Sequence, residues 1–294
     1  MAQKELINKI KIAVSNTGYP FEQKIGIFLE RKGWHVFHSI NYVDPIQNKE
    51  HELDILAYKL INQRRIELRI SCKKSINKPW VFFTEDASRY LEHGNILKIT
   101  PILTDINKIR RIPKILKDLE FFSHKRRAIN FTAFYGKELN DQYRDSIVNG
   151  LFSTLTSVYH RIYPYDLLSD SRGTIYFFIL LFDGLMFESF YDFKSNKDII
   201  KSIDYMSWDN KLLLNQEIKK IYNANGKLID LSDVLYYFSD WFRVEIVKWT
   251  HFRTYLNKIE KVFGNLTLND LKLFGNLWIP KNFPKIVRGF PKIK

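Results

Sequence analysis

Only one cysteine, Cys72, occurs in 294 residues, which excludes a disulfide framework and any multi-cysteine zinc site. The cysteine sits in an apolar, strand-like run and reads as a buried, inert thiol. Long hydrophobic runs are also missing. The longest, Ile175 to Phe182, stops at Asp183-Gly184, well short of the roughly 20 residues that a spanning helix needs. The opening MAQKELINKIKIAVSNTGYP alternates charges and lacks a signal-peptide core, so a cytoplasmic chain without a membrane partner is expected. No G-x-x-x-x-G-K-[ST] loop and no G-x-S-x-G elbow occurs, leaving nucleotide hydrolysis and serine-hydrolase chemistry without support. His35, His38 and His51 have no second His or Cys at zinc-ligand spacing.

Acid is the minority charge. Against 32 Asp and Glu stand 46 Lys and Arg, a formal net charge of +14. Such an excess favours a polyanionic partner, because neutralised phosphates release condensed counterions. At 45% hydrophobic and 15% aromatic residues the chain can bury a proper core, as one large domain or two modest ones.

Pro20 suits the first turn of a helix, where its missing N–H costs nothing. Phe21, Ile25, Phe28 and Leu29 follow at helical spacing, and Gly33 closes the helix. Trp34 to His38 reads as extended, and Asp44 to Glu50 as a loop. Leu53, Ile55 and Ala57 alternate with Glu52, Asp54 and Leu56, the period of a strand, and Asn62 to Arg65 is a turn. Ile66, Leu68, Ile70 and Cys72 then alternate with Glu67, Arg69, Ser71 and Lys73, a half-buried strand with its chemistry on one face. Trp80 to Phe83 reads as a strand, and Glu85 to His93 as a short helix. Asn107 to Arg127 is basic and helical in pattern. A soft boundary there gives domains at 1–125 and 126–294. A helix over Lys137 to Arg161 carries the stripe Ile147, Leu151, Leu155 and Val158. The apolar segments flanking Asp183-Gly184 predict a β-hairpin over 175–191. Trp241 to Trp249 predicts a strand feeding a helix through Phe263, and the Trp and Tyr residues between Trp208 and Trp249 read as core. The tail, Lys281 to Lys294, is basic and has no acid.

Hydrolysis of a phosphodiester needs an activated water, relief of charge on the phosphorane and a stabilised leaving oxygen, and carboxylate-held divalent metal supplies these. Magnesium requires only one or two carboxylates plus substrate oxygens. A nearby lysine orients water and stabilises transition-state charge. The minimal kit is an acid on one strand, an acid and a lysine two apart on the next, and often a helical glutamate. Tyr19-Pro20-Phe21-Glu22, Glu52-Leu53-Asp54 and Ser71-Cys72-Lys73-Lys74-Ser75 match that plan. On these motifs the chain resembles the PD-(D/E)XK, or restriction-endonuclease-like, superfamily. Within it, the chain is similar to a bacterial family with a helix-start Glu, an E-x-D motif and a C-K-x-S motif. The likeness is specific over about residues 17 to 95 and looser to about residue 263.

The resemblance implies an α/β fold: a restriction-endonuclease-like core of mixed β-sheet flanked by helices, with a C-terminal α/β extension. It implies a Mg2+- or Mn2+-dependent endonuclease acting on DNA, in restriction, antiphage defence or repair. Asp54 becomes the main metal ligand, Lys73 the catalytic lysine, Glu22 the helical carboxylate, and Cys72 the donor of a backbone carbonyl to the metal. Lys74 and Ser75 would face the substrate backbone, and the basic residues Arg110, Arg111, Arg126 and Arg127 would grip it. One position departs: Ser71 stands where the family has Asp or Glu. Three readings remain open. A relocated acid (Glu67, Glu85 or Asp86) replaces it, or Glu22 and Asp54 hold one weakly bound ion, or the site is inactive and the fold serves as a nucleic-acid-binding or scaffold subunit. Cutting both strands takes two sites, hence a homodimer or a partner protein.

Overall fold

The computed structural model describes residues 2–15, 17–44, 49–62, 64–75, 77–86, 96–99, 102–105, 126–136, 138–140, 144–161, 174–211, 220–222, 228–230 and 241–265. Two helices open the chain, α1 (Ala2–Ser15) and α2 (Tyr19–Arg31). Pro20 lies in the first turn of α2, and Gly33, at φ +78°, closes it by donating its N–H to the Glu30 carbonyl. The left-handed conformation is one that glycine adopts without steric cost.

Three antiparallel neighbours follow: β1 (His35–Asp44), β2 (Lys49–Ile61) and β3 (Arg64–Lys74), turning through Asn62 at φ +49°. Next come β4 (Trp80–Asp86), β5 (Ile96–Ile99), β6 (Ile102–Asp105), β7 (Arg126–Tyr135) and β8 (Glu138–Asn140). Helix α3 (Arg144–Arg161) leads into β9 (Thr174–Asp183), β10 (Met186–Asp192), β11 (Lys197–Ser202) and β12 (Tyr205–Lys211). The short pair β13 (Lys220–Tyr222) and β14 (Leu228–Asp230) precedes β15 (Trp241–Lys248) and α4 (Trp249–Gly264).

Eleven strands form one mixed sheet in the order β1-β2-β3-β9-β15-β12-β7-β4-β10-β11, with β8 beside β7. The fold is therefore α/β with helices on a mixed sheet. Strands from both sides of residue 125 pair in it, since β9 runs parallel to β3 from Arg65↔Thr174 to Lys74↔Asp183. The expected helix over 107–127 is replaced at its end by β7, which begins at Arg126; residues 106–125 lie outside those described. The expected helix over 137–161 begins later, at Arg144, with Ile147, Leu151 and Leu155 fully buried.

The hairpin expected over 175–191 does not form. Strands β9 and β10 meet at Asp183-Gly184-Leu185 but pair with other strands, β9 with β3 and β15, β10 with β4 and β11. Two neighbouring segments instead pass side by side through a double bend. Ser75 N–H donates to the Asp183 carbonyl and Trp80 N–H to the Leu185 carbonyl, so β3–β4 and β9–β10 stay in parallel register beyond it. The Asp-Gly signal marks a bend in both readings, but the partner strands decide what the bend joins.

Central strand β3 is covered on both faces, not one. Ile66, Leu68, Ile70 and Cys72 enter a core with Phe21, Ile25 and Leu29 of α2 and Phe252, Leu256 and Ile259 of α4. Glu67, Arg69 and Ser71 on the other face are equally buried, because α3 lies there. Glu67 pairs with Arg69 at 2.8 Å and Arg65 at 3.0 Å, and Arg69 donates to the Ser157 carbonyl at 2.6 Å. A helix approaches this polar strand closely through small residues. A Cβ on Gly150 would come within 2.7 Å of Leu180 Cδ1 and 3.2 Å of Lys73 Cε.

Breaking one partner of a buried ion pair strands the other charge, at about 3–5 kcal/mol. Arg69→Met is expected to cost about 3 kcal/mol in urea unfolding, because Arg65 still faces Glu67; a loss under about 1 kcal/mol contradicts the buried pairing.

Candidate active site

Register brings the sequence motifs together part-way along β2, where its ladder with β3 stops, beside the end of β3 and the start of α2. The β2–β3 ladder ends at Ile55↔Ile70. Just beyond, the Asp54 carboxylate takes over: Oδ2 accepts the Cys72 backbone N–H and the Ser71 hydroxyl, the latter at 3.2 Å. Asp54 Oδ1 accepts no hydrogen bond among the described residues. On the other side, β1 pairs through His38↔Ile55 and Ile40↔Leu53, leaving Ser39 across from Asp54 at φ +52°. A left-handed non-glycine residue costs roughly 1–2 kcal/mol, and such strain concentrates at functional sites.

Burial raises the Asp54 pKa above its ordinary value against the opposing pull of Lys73, the Cys72 amide and the Ser71 hydroxyl. Glu22 is pushed up to about 7, first by burial, then by the negative charges of Asp54 and Glu52, with Lys73 pulling the other way. Its Oε1 folds back over Gly18, where a Cβ would approach to 3.1 Å. Glu22, Glu52, Asp54 and Lys73 thus form one electrostatic group, with Lys73 the cation among three acids. The Lys73 stem lies against Gly150 of α3, so α3 fixes its path.

Ser71 has a definite role in this arrangement: it holds the Asp54 carboxylate from the position where an acid was expected. Cys72 contributes its amide to Asp54, while its thiol is buried in the core beneath and burial pushes the thiol pKa up. None of the acids expected to replace position 71 reaches the group. Glu67 is held by Arg65 and Arg69 farther along β3. Glu85 and Asp86 belong to β4, not to a helix start, and Glu85 accepts from Arg127 at 2.7 Å.

Three expected substrate contacts are placed otherwise. Arg127 is taken up by Glu85, and Arg126 by Glu188 at 2.9 Å and by Thr84, because both arginines sit on β7 beside β4 and not on an exposed helix. The Ser75 hydroxyl donates to the Lys78 carbonyl in the bend. Lys74 is exposed at the end of β3. Arg110, Arg111 and the basic tail lie outside the described residues.

Glu52, first residue of the E-x-D motif, was assigned no role from the sequence. Strand alternation carried the signal, because Glu52 precedes Asp54 by two residues and is exposed where Leu53 and Ile55 are buried. The donor set suits a hard divalent cation, which takes oxygen ligands and needs few carboxylates from the protein. Among the described residues no three His, Cys, Asp or Glu side chains stand close enough together to enclose an ion. No family model, no curated protein and no solved structure matches this chain. Among the described residues no helix is long and apolar enough to cross a membrane.

A raised folded-state pKa for Glu22 means that folding favours its protonated form. The associated stability is present below the ordinary pKa of 4.5 and is lost as pH rises through about 7. Solvent screening at this half-exposed site reduces the loss to about 1 kcal/mol. Glu22→Gln is therefore expected to flatten the stability profile between about pH 4.5 and 7 and to exceed wild type at about pH 8. Parallel profiles for the two proteins contradict the assignment.

Proposed function

We propose that this protein is a divalent-metal-dependent endonuclease that hydrolyses phosphodiester bonds in DNA. One observation carries the reading: Asp54 is held through Oδ2 by Ser71 and Cys72, with Oδ1 accepting no hydrogen bond among the described residues, in one charge group with Glu22 and Lys73. The element order also supports a restriction-endonuclease-like core. Helix α2, strands β1, β2 and β3, helix α3 and strand β9 follow one another with β4–β8 inserted. Their strands lie in the order β1-β2-β3-β9, with α2 and α3 on opposite faces.

Asp54 and Glu22 would hold Mg2+ or Mn2+, with the Cys72 carbonyl as a further donor and Glu52 adding negative charge. The cation supplies Lewis-acid polarisation of the phosphate and lowers the pKa of bound water. Lys73, anchored along α3, positions the attacking water and offsets charge on the phosphorane. Ser71 keeps Asp54 aimed, and Glu22, whose pKa burial raises to about 7, would give up its proton on taking the cation. The net charge of +14 draws the polyanionic substrate. The second reading, an inactive nuclease fold kept for nucleic-acid binding, is favoured by Ser71 in place of an acid. Two-strand cutting would require a second copy or a partner protein.

Supercoiled and linear DNA incubated with Mg2+ or Mn2+ tests the proposal. Wild type is expected to cut, and Asp54→Ala and Lys73→Ala each to lose about a hundredfold or more of the rate. Binding without cutting under either metal selects the inactive reading. Cleavage that survives Asp54→Ala refutes this site. Single-stranded RNA run alongside identifies the nucleic acid.

A further inference from the structure

On the far side of α2 from Glu22, a groove of about 820 Å³ runs between α1, α2 and the start of α4, within the roughly 300–1,000 Å³ of typical ligand sites. Among the described residues four cations line it, Lys24, Arg31, Lys32 and Arg253, and no acid does. None of the four pairs with a carboxylate among the described residues; Lys32 donates to the neutral Asn257 side chain at 3.1 Å. Between them stand aromatic rings. Lys24 Nζ lies 5.1 Å from the Trp249 ring centre, and the Arg253 guanidinium 5.8 Å from that of Phe28. Tyr19 is 54% exposed at the mouth of the groove, its hydroxyl accepting from Gln23.

We infer that this groove binds single-stranded nucleic acid, with a base stacked on Tyr19 and phosphates on Lys24, Arg31 and Arg253. Cations and the exposed Tyr19 ring share one channel, the combination that grips an unpaired strand without reading its sequence. A protein segment of matching charge would need its own acids and would gain little from stacking platforms. A duplex hides its base faces and would use the cations alone. The inference does not depend on the cleavage chemistry, since the groove includes none of Glu22, Asp54 or Lys73.

Fluorescence anisotropy of a labelled oligothymidylate, titrated with the full chain in EDTA, tests the inference separately from cleavage. Wild type is expected to bind the single strand more tightly than a duplex of equal length. The double variant Lys24→Gln/Arg31→Gln alters two exposed helix positions and should keep the wild-type melting temperature. It is expected to weaken single-strand binding about tenfold and to reduce the slope of log K against log salt by about 1.4, roughly 0.7 for each phosphate no longer neutralised. Tyr19→Ala is expected to cost roughly tenfold while Tyr19→Phe stays near wild type. Unchanged affinity and slope in the double variant overturn the site. Equal losses for single strand and duplex overturn the single-strand assignment. Loss of binding to phosphatidylserine vesicles with oligonucleotide binding intact makes the groove a membrane face and also overturns it.

Discussion

Everything in this fold turns on the burial of β3 from both sides. A strand whose odd positions are Glu67, Arg69, Ser71 and Lys73 can lie inside a sheet only if a second layer satisfies those groups. Helix α3 does so with backbone carbonyls and small side chains. Ser157 offers its carbonyl to Arg69, and Thr154, Thr156 and Ser157 turn their hydroxyls onto their own helix. Gly150, costly to a helix in isolation, permits the approach over Leu180 and Lys73. The same packing that neutralises the inner half of β3 directs Lys73 along α3 toward the acids at its end.

At that end the sheet itself supplies the site. The β2–β3 ladder stops, and a freed amide, that of Cys72, is taken by a side-chain carboxylate. This substitution explains how Ser71 can stand where an acid was expected. A second acid there would face Asp54 across the strands and add to a charge group already resisting ionisation. A hydroxyl instead donates, fixing one oxygen and leaving the other without a hydrogen bond among the described residues. The raised pKa values of Glu22 and Asp54 express the same condition: buried negative charge with Lys73 as its cationic neighbour. A divalent cation is the natural remedy, and in the proposed reading it is what the site is arranged to take.

Much of this was legible in the residues. The helix from Pro20 to Gly33, the strand Ile66 to Cys72, the Ile147-Leu151-Leu155 stripe and the strand-to-helix passage at Trp249 all follow from local periodicity and punctuation. The setting of Asp54 was less legible, because it lies part-way along β2 and meets Ser71 and Cys72 only where the β2–β3 ladder stops. What stayed hidden was non-local. Asp183-Gly184 specifies a bend, but nothing nearby says that β3–β4 runs beside it. Arg126 and Arg127 read as exposed base because their partners, Glu188 and Glu85, lie far along the chain. Polar alternation in β3 suggested a solvent face; the counter-signal was the Gly, Ser and Thr content of residues 150–157, unusual for a helix that faces water.

Metal uptake with its accompanying proton release tests the central claim most directly. Calorimetric titration of Mn2+ into the wild-type chain at about pH 6, repeated in buffers of different ionisation enthalpy, counts the protons displaced as Glu22 gives up its own. Binding with about one proton released is predicted, the release disappearing in Glu22→Gln and binding itself disappearing in Asp54→Ala. Absence of binding, or uptake that neither substitution alters, would contradict the account.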